Sequence, residues 1–303
     1  MNSANNRRVV ITGMGTINPL GDTLDEYYKN LIAGKSGVKR WKSLDLSHTE
    51  CKIGGDLGDY DCQATLDRLK ASMSDGLYKK IRKLFKTATF SGRTAVLSAL
   101  MGYIEAGLLE KGIDPFSTSI IVAGHNLNSN YLLRNSIQFL AEPEYIDPLC
   151  GVEAIDPNVP ALITEVLGLH GAAFTIGGAC ASGNLALRDG FRDIISGEYE
   201  RSVVTGALFD MSAADIHASA IINAVVLKPE FQETPEKASR PFDTKRDGFV
   251  YSHGTGTMIL ENLETARKRG ARIYAELVGI RASSNACHLP TPSSHMQGKL
   301  IAD

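Results

Sequence analysis

Residues Phe174–Leu187 read FTIGGACASGNLAL, and the way this stretch folds decides the architecture around it. Ala172–Ile176 is short and apolar, as a buried strand is. Residues Gly177–Gly183 are all small, so the backbone can turn sharply where bulky side chains would clash. From there to about Ser196 the pattern is helical. A strand, a tight turn and a helix in succession are part of a βαβ unit, which implies a sheet with helices on its faces. Cys180 sits at the turn, and the residues alone leave two readings of it. One is a small packed cysteine, since free cysteines are among the most buried residues. The other is a nucleophile at the mouth of a helix. There the helix dipole and free amides favour a thiolate, and the cysteine's own N–H can face a developing oxyanion.

Outward from the turn, strands and helices keep alternating. Val9–Thr12 reads as a buried strand, broken into a loop by Gly13, Gly15 and Pro19. Thr23–Glu26 fits a capping box, and Leu24, Tyr27 or Tyr28, Leu31 and Ile32 follow at helical spacing to a terminating Gly34. Residues 42–82 are polar and irregular, as expected of an insertion that covers part of the molecule. A helix is predicted over Leu84–Leu109, with Ala95, Val96, Ala99, Leu100, Tyr103, Ile104 and Leu108 on one stripe and Gly112 closing it. Ser117–Asn126 reads as a strand ending at Gly124. Helical segments follow near Tyr131–Leu140 and Pro160–Leu169, and Arg201–Leu208 is a further strand. Arg246–Glu261 and Ala271–Ala286 look β-rich, joined by a charged helical segment, and another helix begins near the end of the chain. The sum is α/β, with a parallel or mixed sheet.

With 303 residues, 43% hydrophobic and 22% charged, the chain has room for two ordinary domains or one large α/β unit. A net charge of −2 gives no electrostatic footprint for nucleic acid or an anionic membrane. No segment approaches the roughly 18–20 apolar residues of a membrane span, and no signal-peptide core follows the N-terminus. The five cysteines are scattered and lack C-x-x-C spacing, which argues against a disulfide framework or structural zinc. A reducing cytoplasm is the expectation, with no metal site. Gly13-Met14-Gly15 lacks the third glycine of a dinucleotide fingerprint. Among the histidines, His48, His125, His170 and His217 read as structural or surface residues. His253 in YSHGTG and His288 in NACHLPTP lie in turn-like sequence near strands, where a histidine could serve as a base beside a cysteine.

Several of these stretches coincide with one family. RRVVITGMGTINPLG (Arg7–Gly21) resembles the opening strand of the β-ketoacyl-acyl carrier protein synthases, and LIAGKSGV (Leu31–Val38) resembles the turn after their first helix. GACASGNLAL (Gly178–Leu187) is similar to their nucleophile elbow, with Cys180 in the acyl-accepting position. SRPFDTKRDGFV (Ser239–Val250) resembles the block that links their two halves, and NACHLPTP (Asn285–Pro292) a loop near their active site. The resemblance runs over nearly the whole chain, in the family's order.

The resemblance implies a thiolase-like layered αβαβα fold made of two similar βαβαβαββ halves. On that pattern residues 1–255 form a complete N-terminal half, and 256–303 only begin the C-terminal half. It implies an acyl group on Cys180, decarboxylation of a malonyl-carrier thioester, and attack of the resulting carbanion on the acyl-enzyme. The implied partners are an acyl carrier protein and a second subunit, in a homodimer or a heterodimer with a related chain; no cofactor is implied. The family's two catalytic histidines belong to the second half and match no residue here, so 1–303 is expected to be a fragment or to be completed elsewhere. His288 matches a different family position, and His253 and His288 remain candidates for substrate binding. Where the family reads Gly-Glu-Gly-Ala-Gly, this chain has Ser252-His253-Gly254-Thr255-Gly256. In this it resembles discrete synthase-like proteins of polyketide clusters, including some that only decarboxylate malonyl-carrier. Those commonly carry serine at the nucleophile position. A third alternative, a non-catalytic chain-length partner subunit, normally lacks the cysteine.

Overall fold

β-branched and small residues dominate the stretch after Arg8, and in the computed structural model they form the long strand β1 (Val9–Ile17). The structure describes residues 7–109, 112–287 and 293–302. The remaining strands are β2 (Lys39–Arg40), β3 (Ile53–Gly54), β4 (Thr118–Ala123), β5 (Ala173–Ile176), β6 (Arg201–Gly206), β7 (Thr255–Asn262) and β8 (Ala275–Leu277). β2 and β3 make a separate two-stranded ribbon, and the other six form one mixed sheet in the order β5-β4-β6-β7-β1-β8. β4 is parallel to β5 and β6, while β7 runs antiparallel to both β6 and β1. β1, β4, β5 and β6 therefore end on the same edge of the sheet. Helices separate β1 from β4, β4 from β5 and β5 from β6, which reproduces the expected βαβαβαββ order.

Alternation along the strands sends side chains into two cores. Ile120, Val122, Val203 and Ile259 pack under the helices Phe90–Glu105 and Asn158–Leu167. Ile121, Ala123, Val204 and Leu260 face the opposite side with the helix Ser182–Ser196. Gly13 and Gly15 are explained by the first of these layers. A β-carbon on Gly13 would run into the carbonyl oxygen of Gly102, and one on Gly15 into that of Ser98. The Phe90–Glu105 helix thus rests directly on β1, and the glycines serve packing.

Several expectations are corrected. Residues 42–82 are not irregular throughout, because short helices occupy Cys62–Leu69 and Asp75–Leu84. Asp61 and Ser74 cap them by accepting the amides of Ala64 and Leu77, and Leu66 and Ile81 are their buried anchors. The long helix begins at Phe90, capped by Thr89, and ends before Gly107, which takes φ +65; Gly112 lies beyond it. Of the expected capping box, the Thr23 hydroxyl does accept the Glu26 amide, at 3.1 Å. The β-rich C-terminal stretches shrink to β7 and the three-residue β8.

Candidate active site

β5 is an edge strand of the sheet, paired on one side with β4. Beyond Ile176 the chain turns through Gly177 and Gly178 into a single 3₁₀ turn, Ala179–Ala181, that runs straight into the 15-residue helix Ser182–Ser196. Ser182 staples this elbow. Its hydroxyl accepts the Gly178 N–H at 2.8 Å and donates to the Ala179 carbonyl at 2.7 Å, while the Ala181 N–H donates to Gly178 O at 2.9 Å. Ala179 is held at φ +47, a left-handed conformation that costs a non-glycine residue on the order of 1 kcal/mol. A β-carbon on Gly178 would run into a terminal methyl of Leu185, which would have to turn away.

Cys180 is exposed at the centre of this turn. No side chain caps the following helix, and the Cys180 amide has no hydrogen-bond partner among the described residues. The open Cys180 N–H and the positive end of the helix dipole therefore lie at the turn that carries the thiol, where negative charge is favoured. Cys51 and Cys62 are buried, and burial pushes both thiols up, Cys62 to about 11. Cys150 is raised in the same way. Cys287 is exposed as well.

A second loop lies alongside. β4 is followed by Gly124, whose N–H donates to Ile176 O at 3.0 Å, and then by His125, which is exposed. A β-carbon on Gly177 would stand 3.3 Å from that of His125. The Asp156 carboxylate accepts the amides of Asn126 and Leu127, each at 2.9 Å. Its carbonyl accepts the Thr175 hydroxyl of β5 at 3.1 Å. Further along the same sheet edge, a cavity of about 530 Å³ opens between the ends of β1 and β6, lined by Thr16, Asn18, Tyr27, Gly206, Ser252 and Gly254. Ligands of open α/β sheets gather outside the carboxyl ends of the strands.

The other expected site residues fare differently. His253 is only 3% exposed. Its Nδ1 accepts the Leu57 N–H at 3.0 Å, so the proton resides on Nε2, which has no partner among the described residues. The rings of Trp41 and Phe90 stand edge-on to it, with centroids at 4.9 and 5.8 Å. Burial lowers its pKa from 6.5 to about 4, against the opposing pull of the Asp56 carboxylate 3.8 Å away. At neutral pH the two are no ion pair. The structure therefore seats His253 in the interior, joining residues 251–253 to Gly55–Leu57. His288 lies outside the described residues. In the Ser239–Val250 block, Arg240 pairs with Asp243 at 2.9 Å, and Phe242 between them is fully exposed at φ +64. The Ser182 staple, the strain at Ala179 and the placement of His125 were not read from sequence. Only the run of small residues from Gly177 to Gly183 hinted at the first two.

The model of the beta-ketoacyl synthase N-terminal domain matches residues 6–266. The chain belongs to the β-ketoacyl synthase family. Among curated relatives, the polyketide biosynthesis malonyl-ACP decarboxylase PksF of Bacillus subtilis is 28% identical over 97% of this chain and 66% of its own length. The 3-oxoacyl-[acyl-carrier-protein] synthase 2 of Synechocystis is 30% identical over 94% of this chain and 65% of its own. This ketosynthase-like chain spans about two thirds of the length of these relatives. A β-ketoacyl synthase from Burkholderia phymatum superposes with a TM-score of 0.80 at 24% identity, over 98% of this chain and 69% of that one. The ishigamide ketosynthase/chain length factor does so with a TM-score of 0.74 at 27% identity, over 90% and 62%. The fold is accordingly thiolase-like α/β. Among the described residues, no helix is long and apolar enough to cross a membrane.

Proposed function

We propose that Cys180 is an acyl-accepting nucleophile and that the whole protein is a β-ketoacyl-acyl carrier protein synthase, building fatty acids or polyketides. The observation that carries this reading is the exposed Cys180 on a strained, Ser182-stapled elbow at an uncapped helix N-terminus. In the first half-reaction the thiolate attacks the carbonyl of an acyl-carrier thioester. The oxyanion accepts the Cys180 N–H, the carbon–sulfur bond to the carrier breaks, and the carrier leaves as its thiol once protonated. In the second, malonyl-carrier loses carbon dioxide and its enolate attacks the acyl-cysteine carbonyl. A carbon–carbon bond forms and Cys180 departs as thiolate. No residue described here is assigned to the decarboxylation step. A free thiol nucleophile suits a reducing compartment, which supports the cytoplasm.

A second reading is favoured by the likeness to the B. subtilis malonyl-ACP decarboxylase: decarboxylation of malonyl-carrier to acetyl-carrier without chain extension. Incubating the intact protein with an acyl-carrier thioester and following Cys180 by peptide mass spectrometry tests the first reading. A thioester mass is expected on the Cys180 peptide, absent in Cys180→Ala. No label in the parent protein sinks the reading. Acetyl-carrier as the sole product from malonyl-carrier, with every primer, would decide for decarboxylation alone.

A further inference from the structure

The loop that follows β4 is built with unusual backbone. Gly124 takes φ +142, and Asn126, which is not glycine, takes φ +52. Such a conformation persists only where the surroundings hold it. Asp156 does so through the amides of Asn126 and Leu127, and its carbonyl ties the same assembly to Thr175 of β5. Between the two special residues stands His125. It is exposed and makes no hydrogen bond or ion pair among the described residues. Ala123 lies opposite Ile176 in the parallel register, so His125 passes beside Gly177, three residues before Cys180. Two adjoining parallel strands thus deliver an unpartnered imidazole and an exposed thiol to one rim of the sheet.

We propose that His125 is a specificity residue of the Cys180 site, hydrogen-bonding an oxygen on the β-carbon of the acyl group delivered to that thiol. This rests on the acyl-transfer reading above. An imidazole offers both a donor and an acceptor, so hydroxyl and carbonyl oxygens both suit it. A saturated chain laid across it would strip away its water and supply no partner, which is unfavourable. A site built to bond a substrate oxygen rejects the analogue that lacks it. Acyl groups with a β-oxygen are therefore preferred over saturated ones of equal length.

The test compares 3-hydroxybutyryl- and butyryl-pantetheine thioesters on the intact protein, reading the initial rate of each label on Cys180 as a ratio. His125→Ala is expected to lower the hydroxybutyryl-to-butyryl ratio about tenfold, which corresponds to about 1.4 kcal/mol. His125→Gln keeps a donor and an acceptor and is expected to hold the ratio within about threefold of the parent; it also serves if the alanine variant folds poorly. An equal ratio in the parent and both variants overturns the inference, as does a fall in both rates that leaves the ratio unchanged. Complete absence of label on Cys180 in the parent is a different result, and it overturns the acyl-transfer reading itself.

Discussion

His253 shows how much of a residue's behaviour its surroundings decide. Its folded pKa, about 4, lies below the ordinary 6.5, so between these values the unfolded chain binds more protons than the native one. Stability is then whole above about pH 6.5, declines as pH falls through this window, and loses no more to this group below pH 4. A shift of this size corresponds to roughly 3 kcal/mol. The His253→Gln variant carries no titrating imidazole, so its unfolding free energy is expected to fall less steeply between pH 6.5 and pH 4 than that of the parent. Urea titrations across that range measure the difference, and parallel slopes would show that His253 is not the group responsible. In sequence, His253 stood in turn-like sequence near a strand, a candidate base or substrate contact. The interior position comes from partners far away in the chain, Trp41, Leu57 and Phe90, which local pattern cannot reveal.

At the scale of elements, the packing of the Phe90–Glu105 helix onto β1 depends on the absence of side chains at Gly13 and Gly15. The Ser98 hydroxyl reinforces that contact, donating to the Gly15 carbonyl at 3.1 Å. Gly15→Ala would push a methyl group into the Ser98 carbonyl and lift the helix, an overpacking that costs roughly 1–3 kcal/mol. Denaturant unfolding checks this. A variant within experimental error of the parent would mean that the helix can slide without penalty. The strands β4 and β6 were legible from apolar runs, because burial on both faces leaves an uninterrupted apolar signature. β5 was legible as an apolar run too, but it is not the buried strand expected, since Ala173 and Phe174 are exposed on the edge of the sheet. Residues 62–84 were not, since those helices are short and show the interior little beyond Cys62, Thr65, Leu66 and Ile81. The elbow was legible at Cys180 as a run of small residues, whereas the staple needs the fold to bring Gly178, Ala179 and Ser182 within bonding distance.

Across the whole molecule, the sheet has an edge at β5 that no strand covers among the described residues. Phe174 on that strand is 37% exposed. Unpaired backbone groups beside an apolar ring invite another strand, and in the dimer that the family resemblance implies a second subunit would supply it. Phe174→Asp places a charge on this edge and is expected to convert a dimer into a monomer in light scattering at micromolar protein. A parent that is monomeric under the same conditions would remove β5 as the contact.

Asp156 has a consequence for motion. One residue grips the loop that carries His125 and, through its own carbonyl, the strand that leads to Cys180. Displacements of the two loops are therefore expected to be correlated, because a shift of Asp156 pulls on both. A push on this rim is expected to move the two loops together rather than as independent groups.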